Sequence, residues 1–339
     1  MENTNPVHQR ALRLNTDAGS GTAEMLAQYQ SGRRDFSRAS LQGSNLIQAF
    51  LRSADLSRSD LDWSNLSGAD LRDADLNRSD MAHVQLIGAQ LTKANLSGAN
   101  LAYADLSWIN LDEANLAGAD LRGANLTQTQ LRNTDFRGAN LEGANLTGAA
   151  LDGATFCRAN LQDANLFGVN LNGADLSRSD FSGADLSKTN FCAADLCKAD
   201  FQDAKLRQAN FHSACLQGAN LRKANLLGVN LRRAQLRGGD LDTATLSELK
   251  LRGVNLPSRV DMTAVNLAGA NLVDADFSEA NLRYARFYEA ILDRANFSSS
   301  SMLDSYMRGT DLRGSNFQDC IVTNIYLTDA TMPDGSIHP

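Results

Sequence analysis

The chain has 339 residues, with 32 basic and 39 acidic side chains and a formal net charge of −7 at pH 7. Spread over that length the charge is mild, and it points neither to a nucleic-acid binder nor to an intensely acidic mimic of one. Cys157, Cys192, Cys197, Cys215 and Cys320 show no CxxC spacing, and their odd number does not suit a disulfide framework, so they read as reduced thiols.

Residues 1–21 carry no periodic pattern and read as a flexible tail. They contain no apolar run like that of a signal peptide, and no later stretch reaches the 18 or so apolar residues needed to cross a bilayer. A cytoplasmic protein without a membrane span is expected. Over residues 22–35, Thr22 followed by AEMLAQYQ and Gly32 predicts a short N-capped helix ending at a glycine. Met25, Leu26 and Tyr29 would lie on one side of it, capping and leading into the periodic region that begins at Phe36.

From Phe36 to Leu256, every fifth residue is apolar: 45 positions holding 37 Leu, seven Phe and one Met. A small residue, usually Ala, stands two places before each of these centres, and Asp or Asn usually stands one place before, so the unit reads A-[DN]-L-x-x. The frame slips by one residue across 257–261, read as a bulge or loop, then holds from Met262 to Met332 for 15 further centres. Residues 333–339 form a tail in which Pro333, Asp334 and Gly335 stop the repeat by turn chemistry.

A period of five matches neither a strand, which alternates at two, nor an amphipathic helix at 3.6. Uneven leucine-rich repeats of 20–29 residues do not fit either. If the chain turns a corner after each unit, four units close a square coil of 20 residues with Leu and Ala inside. The 60 centres then make about 15 coils, a rod on the order of 70 Å at the usual inter-strand spacing. Eleven of the 13 Phe occupy centres, which places nearly all of them in the core.

The A-[DN]-L-x-x pattern, carried from 36 to 332, resembles the pentapeptide-repeat family. The AEMLAQYQSGRRDF lead-in, the ADL and ANL runs and the ATMPDGSIHP ending look similar to cyanobacterial members in particular. The resemblance implies an all-β, right-handed quadrilateral β-helix. It supplies no catalytic motif. Some members bind regulatory partners, and a subgroup resembles B-form DNA and protects DNA gyrase from inhibitors.

Chemistry needs convergent groups in a concavity, and a solid column of Leu and Ala offers none. His8 and His338 lie in the tails, His83 and His212 lie far apart, and no pair has metal-ligand spacing. Asp55 and Asp75 follow from the repeat register and read as hydrogen-bonded structure. No catalytic residue, cofactor or metal is assigned.

Because residues 20 apart share a face, Trp63, His83 and Tyr103 should form an aromatic ladder, with Ile87 and Trp108 on the adjoining face of the same coils. These five are the candidate partner-binding residues, since clustered exposed aromatics contribute large contact area at low entropic cost. Tyr284, Tyr288 and Leu303 make a weaker second set. Arg58, Arg78, Arg158, Arg178 and Lys198 share one face but are read as a mixed-charge surface, partly neutralised by Asp55, Asp75, Asp175 and Asp195. The expected role is a non-catalytic protein-interaction scaffold or regulatory binding protein for an unidentified protein partner. A homodimer through an end coil is compatible with it, whereas direct nucleic-acid binding is not expected. The alternative, a DNA-mimicking modulator of DNA gyrase or another topoisomerase, would need rows of carboxylates; here Arg and Lys interrupt them.

Overall fold

The computed structural model describes residues 20–226, 229–231, 234 and 262–339. Residues 1–19 and the frame slip expected at 257–261 lie outside the described residues. Helix α1, Ser20–Gln30, comes first. It ends in paired capping bonds, the Gly32 N–H to the Tyr29 carbonyl and the Arg33 N–H to the Gln28 carbonyl, with Gly32 at φ 104°. That left-handed exit is why glycine stands there. The helix begins before Thr22, so Thr22 does not cap it; its buried hydroxyl donates to Ser44 Oγ instead. Met25 and Leu26 are buried, the Tyr29 hydroxyl donates to the Arg52 carbonyl at 2.9 Å, and the Tyr29 ring meets Phe36. These contacts seat α1 against the first coil.

Each five-residue unit is built by one local device. The N–H three residues after a centre donates to the centre's carbonyl, as from Ala54 to Leu51, and the second residue after the centre takes positive φ. This is the type II turn pattern, in which the third residue favours glycine. Glycine fills many such positions, but Arg, Lys, Asp and aromatic residues fill others at φ near 60°. The Asp or Asn before the centre accepts the N–H two residues on, as Asp55 does from Ser57 at 2.9 Å, an Asx turn that stabilises the corner. The same side chains bond down the stack: Asn95 Nδ2 donates to Asp75 Oδ1, and Asn210 Nδ2 to Asn190 Oδ1. The repeat's Asp and Asn therefore hold the backbone.

Coils pair in parallel with a step of 20, Asp35 with Asp55 and Asp55 with Asp75, through single bridges at the residue before each centre. With a corner every five residues, no longer strand forms among the described residues. Up to Leu312 the described centres point inward and are buried, as are nearly all the small residues two before them, and several inward Ser and Thr bond backbone carbonyls, as Ser59 Oγ does to Leu56. Phe rings stack where centres repeat at 20, with Phe136 over Phe156 at 4.7 Å and Phe191 over Phe211 at 4.9 Å.

Two compact units divide the chain, Met1–Asn165 and Leu166–Pro339. At the end of the second, Met332 N–H donates to the Ser336 carbonyl and Thr331 pairs antiparallel with Ile337, so Pro333–Gly335 turns residues 336–338 back along the coil. Among the described residues, no helix is long and apolar enough to cross a membrane.

Candidate functional site

Trp63, His83 and Tyr103 all stand at the positive-φ corner, with φ of 57°, 53° and 58°. Bulky residues are costly in this conformation, by roughly 1–2 kcal/mol relative to glycine. The 20-residue step brings their rings into a column: Trp63 and His83 stack at 4.3 Å and 24°, His83 and Tyr103 at 5.5 Å and 8°. Trp63 is 65% exposed and Tyr103 63%, so the column stands open to solvent. Ile87 at 47% and Trp108 at 68% are exposed on the next unit of the same coils, but no ring contact joins Trp108 to the column among the described residues. The ladder thus forms as a stacked trio flanked by two separate apolar side chains.

Gly123 is the neighbour that the aromatic pattern did not reveal. It follows Tyr103 by 20 residues, and a Cβ there would stand 2.7 Å from the Tyr103 ring. The glycine leaves room for the last ring of the column to lie across the next coil. Gly143, one coil further on at the same position, has open space around it, so within this series the close approach comes from the Tyr103 ring.

The other surface sets organise differently. Arg58, Arg78, Arg158, Arg178 and Lys198 are exposed and form no ion pair among the described residues. Asp55, Asp75, Asp175 and Asp195 accept backbone N–H groups of their own corners. Ion pairs form instead where Arg stands two residues after Asp, in Arg72–Asp70, Arg122–Asp120, Arg137–Asp135 and Arg313–Asp311, each at 2.6 Å. The arginine hydrogen bonds hold these four carboxyls below the usual carboxylate range. Tyr284 and Tyr288 are exposed, and the Tyr284 N–H bonds the Leu303 carbonyl. Tyr288 approaches Tyr306, which stacks on Tyr326 at 4.9 Å.

The model of pentapeptide repeats matches the chain in eight copies, starting at residues 35–73 and ending at 290–329. The chain belongs to the pentapeptide-repeat family. Its parallel coils are accordingly the right-handed β-helix of that family. Among solved pentapeptide-repeat structures, HetL of Nostoc sp. strain PCC 7120, described as involved in heterocyst differentiation regulation, is 27% identical over 94% of this chain and 100% of its own, with a TM-score of 0.24. Another protein from Nostoc PCC 7120, alr5209, is 30% identical over 42% of this chain and 79% of its own, at TM-score 0.19. QnrB1, a plasmid-mediated fluoroquinolone resistance protein, is 21% identical over 57% and 87%, at 0.33. No curated protein matches the chain significantly.

Two features of this pentapeptide-repeat protein depart from the sequence reading. A cavity of about 490 Å³ opens at the last coil, lined by Met307, Phe317, Val322, Ile325, Leu327 and Met332, where a solid interior without a pocket was expected. It arises because Val322 is a centre of the last coil, with no further coil above it, and is 54% exposed. The second departure is covalent: Cys197 and Cys215 are disulfide-bonded, with Cα atoms 5.7 Å apart, which corrects the reading of all five cysteines as thiols. Their separation of 18 joins the residue after one centre to the residue before the centre above it, a diagonal step that same-position stacking does not reveal.

Proposed function

We propose that the chain is a non-catalytic interaction scaffold that recognises a protein partner through the Trp63–His83–Tyr103 column with Ile87 and Trp108 beside it. The observation that carries this is the column itself: three consecutive coils place large, solvent-facing rings at a backbone position that favours glycine. Helix α1 acts as the cover of the first coil, leaving the outward faces as the working surface. Where four Asp carboxylates are neutralised by Arg two residues on, the surface lacks the unbroken rows of negative charge that mimicry of DNA requires.

The test is a comparison of partners captured by the wild type and by a variant carrying Trp63→Gly, His83→Gly, Tyr103→Gly and Trp108→Gly. Glycine suits the backbone at all four positions, so the fold is retained. A partner bound by the wild type and lost by the variant is the expected result. Equal capture by both proteins places recognition elsewhere, and a gyrase subunit captured equally by both would favour the mimic instead.

A further inference from the structure

Cys197 and Cys215 are not core-filling residues; both are only partly buried, on a face where the neighbouring coils use polar pairs. The residue after a centre is often Ser or Thr donating to the preceding Asp, as Ser177 Oγ does to Asp175 and Ser182 Oγ to Asp180, both at 2.7 Å. The residue before a centre is often Asn donating down the stack, as Asn220 Nδ2 does to Asp200 Oδ1 at 2.9 Å. Cys197 replaces the first kind of donor and Cys215 the second, and the carboxylate they leave is that of Asp195. Asp195 Oδ1 accepts the Cys197 N–H at 3.0 Å, which pins the carboxylate beside the sulfurs. One ligand atom from each of Asp195, Cys197 and Cys215 lies within 4.8 Å of the other two.

From this geometry we propose that Asp195, Cys197 and Cys215, with both cysteines reduced, bind a thiophilic divalent cation of the zinc class, and that the disulfide is the closed, metal-free form of the same site. Ligand bonds of about 2.3 Å to sulfur and 2.0–2.2 Å to carboxylate oxygen place tetrahedral donors under 4 Å apart, a small adjustment from the observed cluster. Two thiolates balance the divalent charge and the carboxylate leaves the site with one net negative charge, while the outward-facing position leaves a fourth place to water. Cysteine at both replaced positions supplies soft sulfur ligands, whereas Ser and Asn there would only rebuild the hydrogen bonds of neighbouring coils. The two forms interconvert by thiol–disulfide exchange with a small-molecule disulfide. One protein thiolate attacks it and expels a small thiol; the second then displaces another, so the protein loses two electrons and two protons and the small disulfide becomes two thiols.

The experiment uses the full chain, reduced under anaerobic conditions with a metal-compatible phosphine and titrated with cobalt(II) as the spectroscopic substitute for zinc. The expected result is one equivalent of cobalt with a sulfur-to-cobalt charge-transfer band, displaced by zinc. Cys197→Ser and Cys215→Ser should each abolish the band at one equivalent, and Asp195→Asn should weaken cobalt binding about tenfold or more. Treatment with oxidised glutathione should remove two thiols from the titration and prevent binding. The proposal is overturned if the reduced wild type shows no charge-transfer band or loses its circular-dichroism spectrum on reduction. It is also overturned if the band persists in both serine variants, which would assign it to other cysteines, or if Asp195→Asn binds as tightly as wild type. Cys320 is a weak competitor, because burial pushes its thiol up and its sulfur lies 3.2 Å from Ser300 Oγ.

Discussion

Two ring columns in this protein follow the same rule and have opposite consequences. Inside, Phe191 stacks on Phe211 at 4.9 Å and 11°; outside, His83 stacks on Tyr103 at 5.5 Å and 8°. Both come from a step of 20 residues, and ring geometry hardly distinguishes them. Burial does. The Phe rings are withdrawn from water, so their contacts add apolar transfer free energy and dispersion, whereas in the outer column Trp63 and Tyr103 stay about two-thirds exposed and only His83 between them is partly buried. The inner column is therefore where stability is concentrated, and the outer column is where substitution is thermodynamically mild and recognition can change freely.

The largest expected effect tests the inner column. Phe191→Ala should lower stability by about 3–5 kcal/mol, because the cavity lies between stacked neighbours that cannot close over it. Its chemical-denaturation midpoint, compared with that of the wild type, gives the answer; an unchanged midpoint would refute the inward assignment of the centres.

Next in size is the contrast between Gly123→Ala and Gly143→Ala. Both place an L-residue at positive φ, costing about 1–2 kcal/mol. Only Gly123→Ala also drives a methyl group into the Tyr103 ring. It should be the more destabilising of the two and should perturb tyrosine and tryptophan near-ultraviolet circular dichroism, which Gly143→Ala should leave alone. Equal spectra would mean that Tyr103 does not rest on the next coil.

The fourfold glycine variant sharpens the comparison from the outer side. Loss of exposed ring contacts is offset by relief of positive-φ strain, so its stability should stay within about 1 kcal/mol of wild type. A large loss in thermal denaturation would show that the outer column is structural.

The smallest effect concerns Asp120. Asp120→Asn keeps an acceptor for the Arg122 N–H but removes the ion pair, and should cost a few tenths of a kcal/mol at pH 7. The folded carboxyl titrates below its unfolded value of 3.8, so its contribution is present above that value and fades as pH falls through the folded one. Wild type and variant should converge at the acid end, and a difference that grows on acidification would reverse the assigned sign.

Much of this architecture was legible in the linear chain because a strict period maps one dimension onto another. The centres identified the interior, and the step of 20 aligned Trp63, His83 and Tyr103 before any geometry was known. Thr22 shows the limit at the helix: a hydroxyl that could cap locally instead bonds Ser44, and residue type alone does not distinguish those uses. The site residues divide in the same way, since the period placed Trp108 near the column while the corner directions kept its ring out of contact.

What the amino-acid order determined alone was everything that repeats: inward Leu and Phe, corner glycines, the Asp or Asn before each centre and the outward face each residue occupies. These come from backbone chemistry applied identically in every unit. Only the tertiary structure decided what does not repeat. Cys197 meets Cys215 across a diagonal of 18 residues, Gly123 makes space for a ring from the coil before it, and centres such as Val322 are left open where no further coil covers them. Each depends on distances between side chains in different repeat positions, and a one-dimensional period carries no information about those distances.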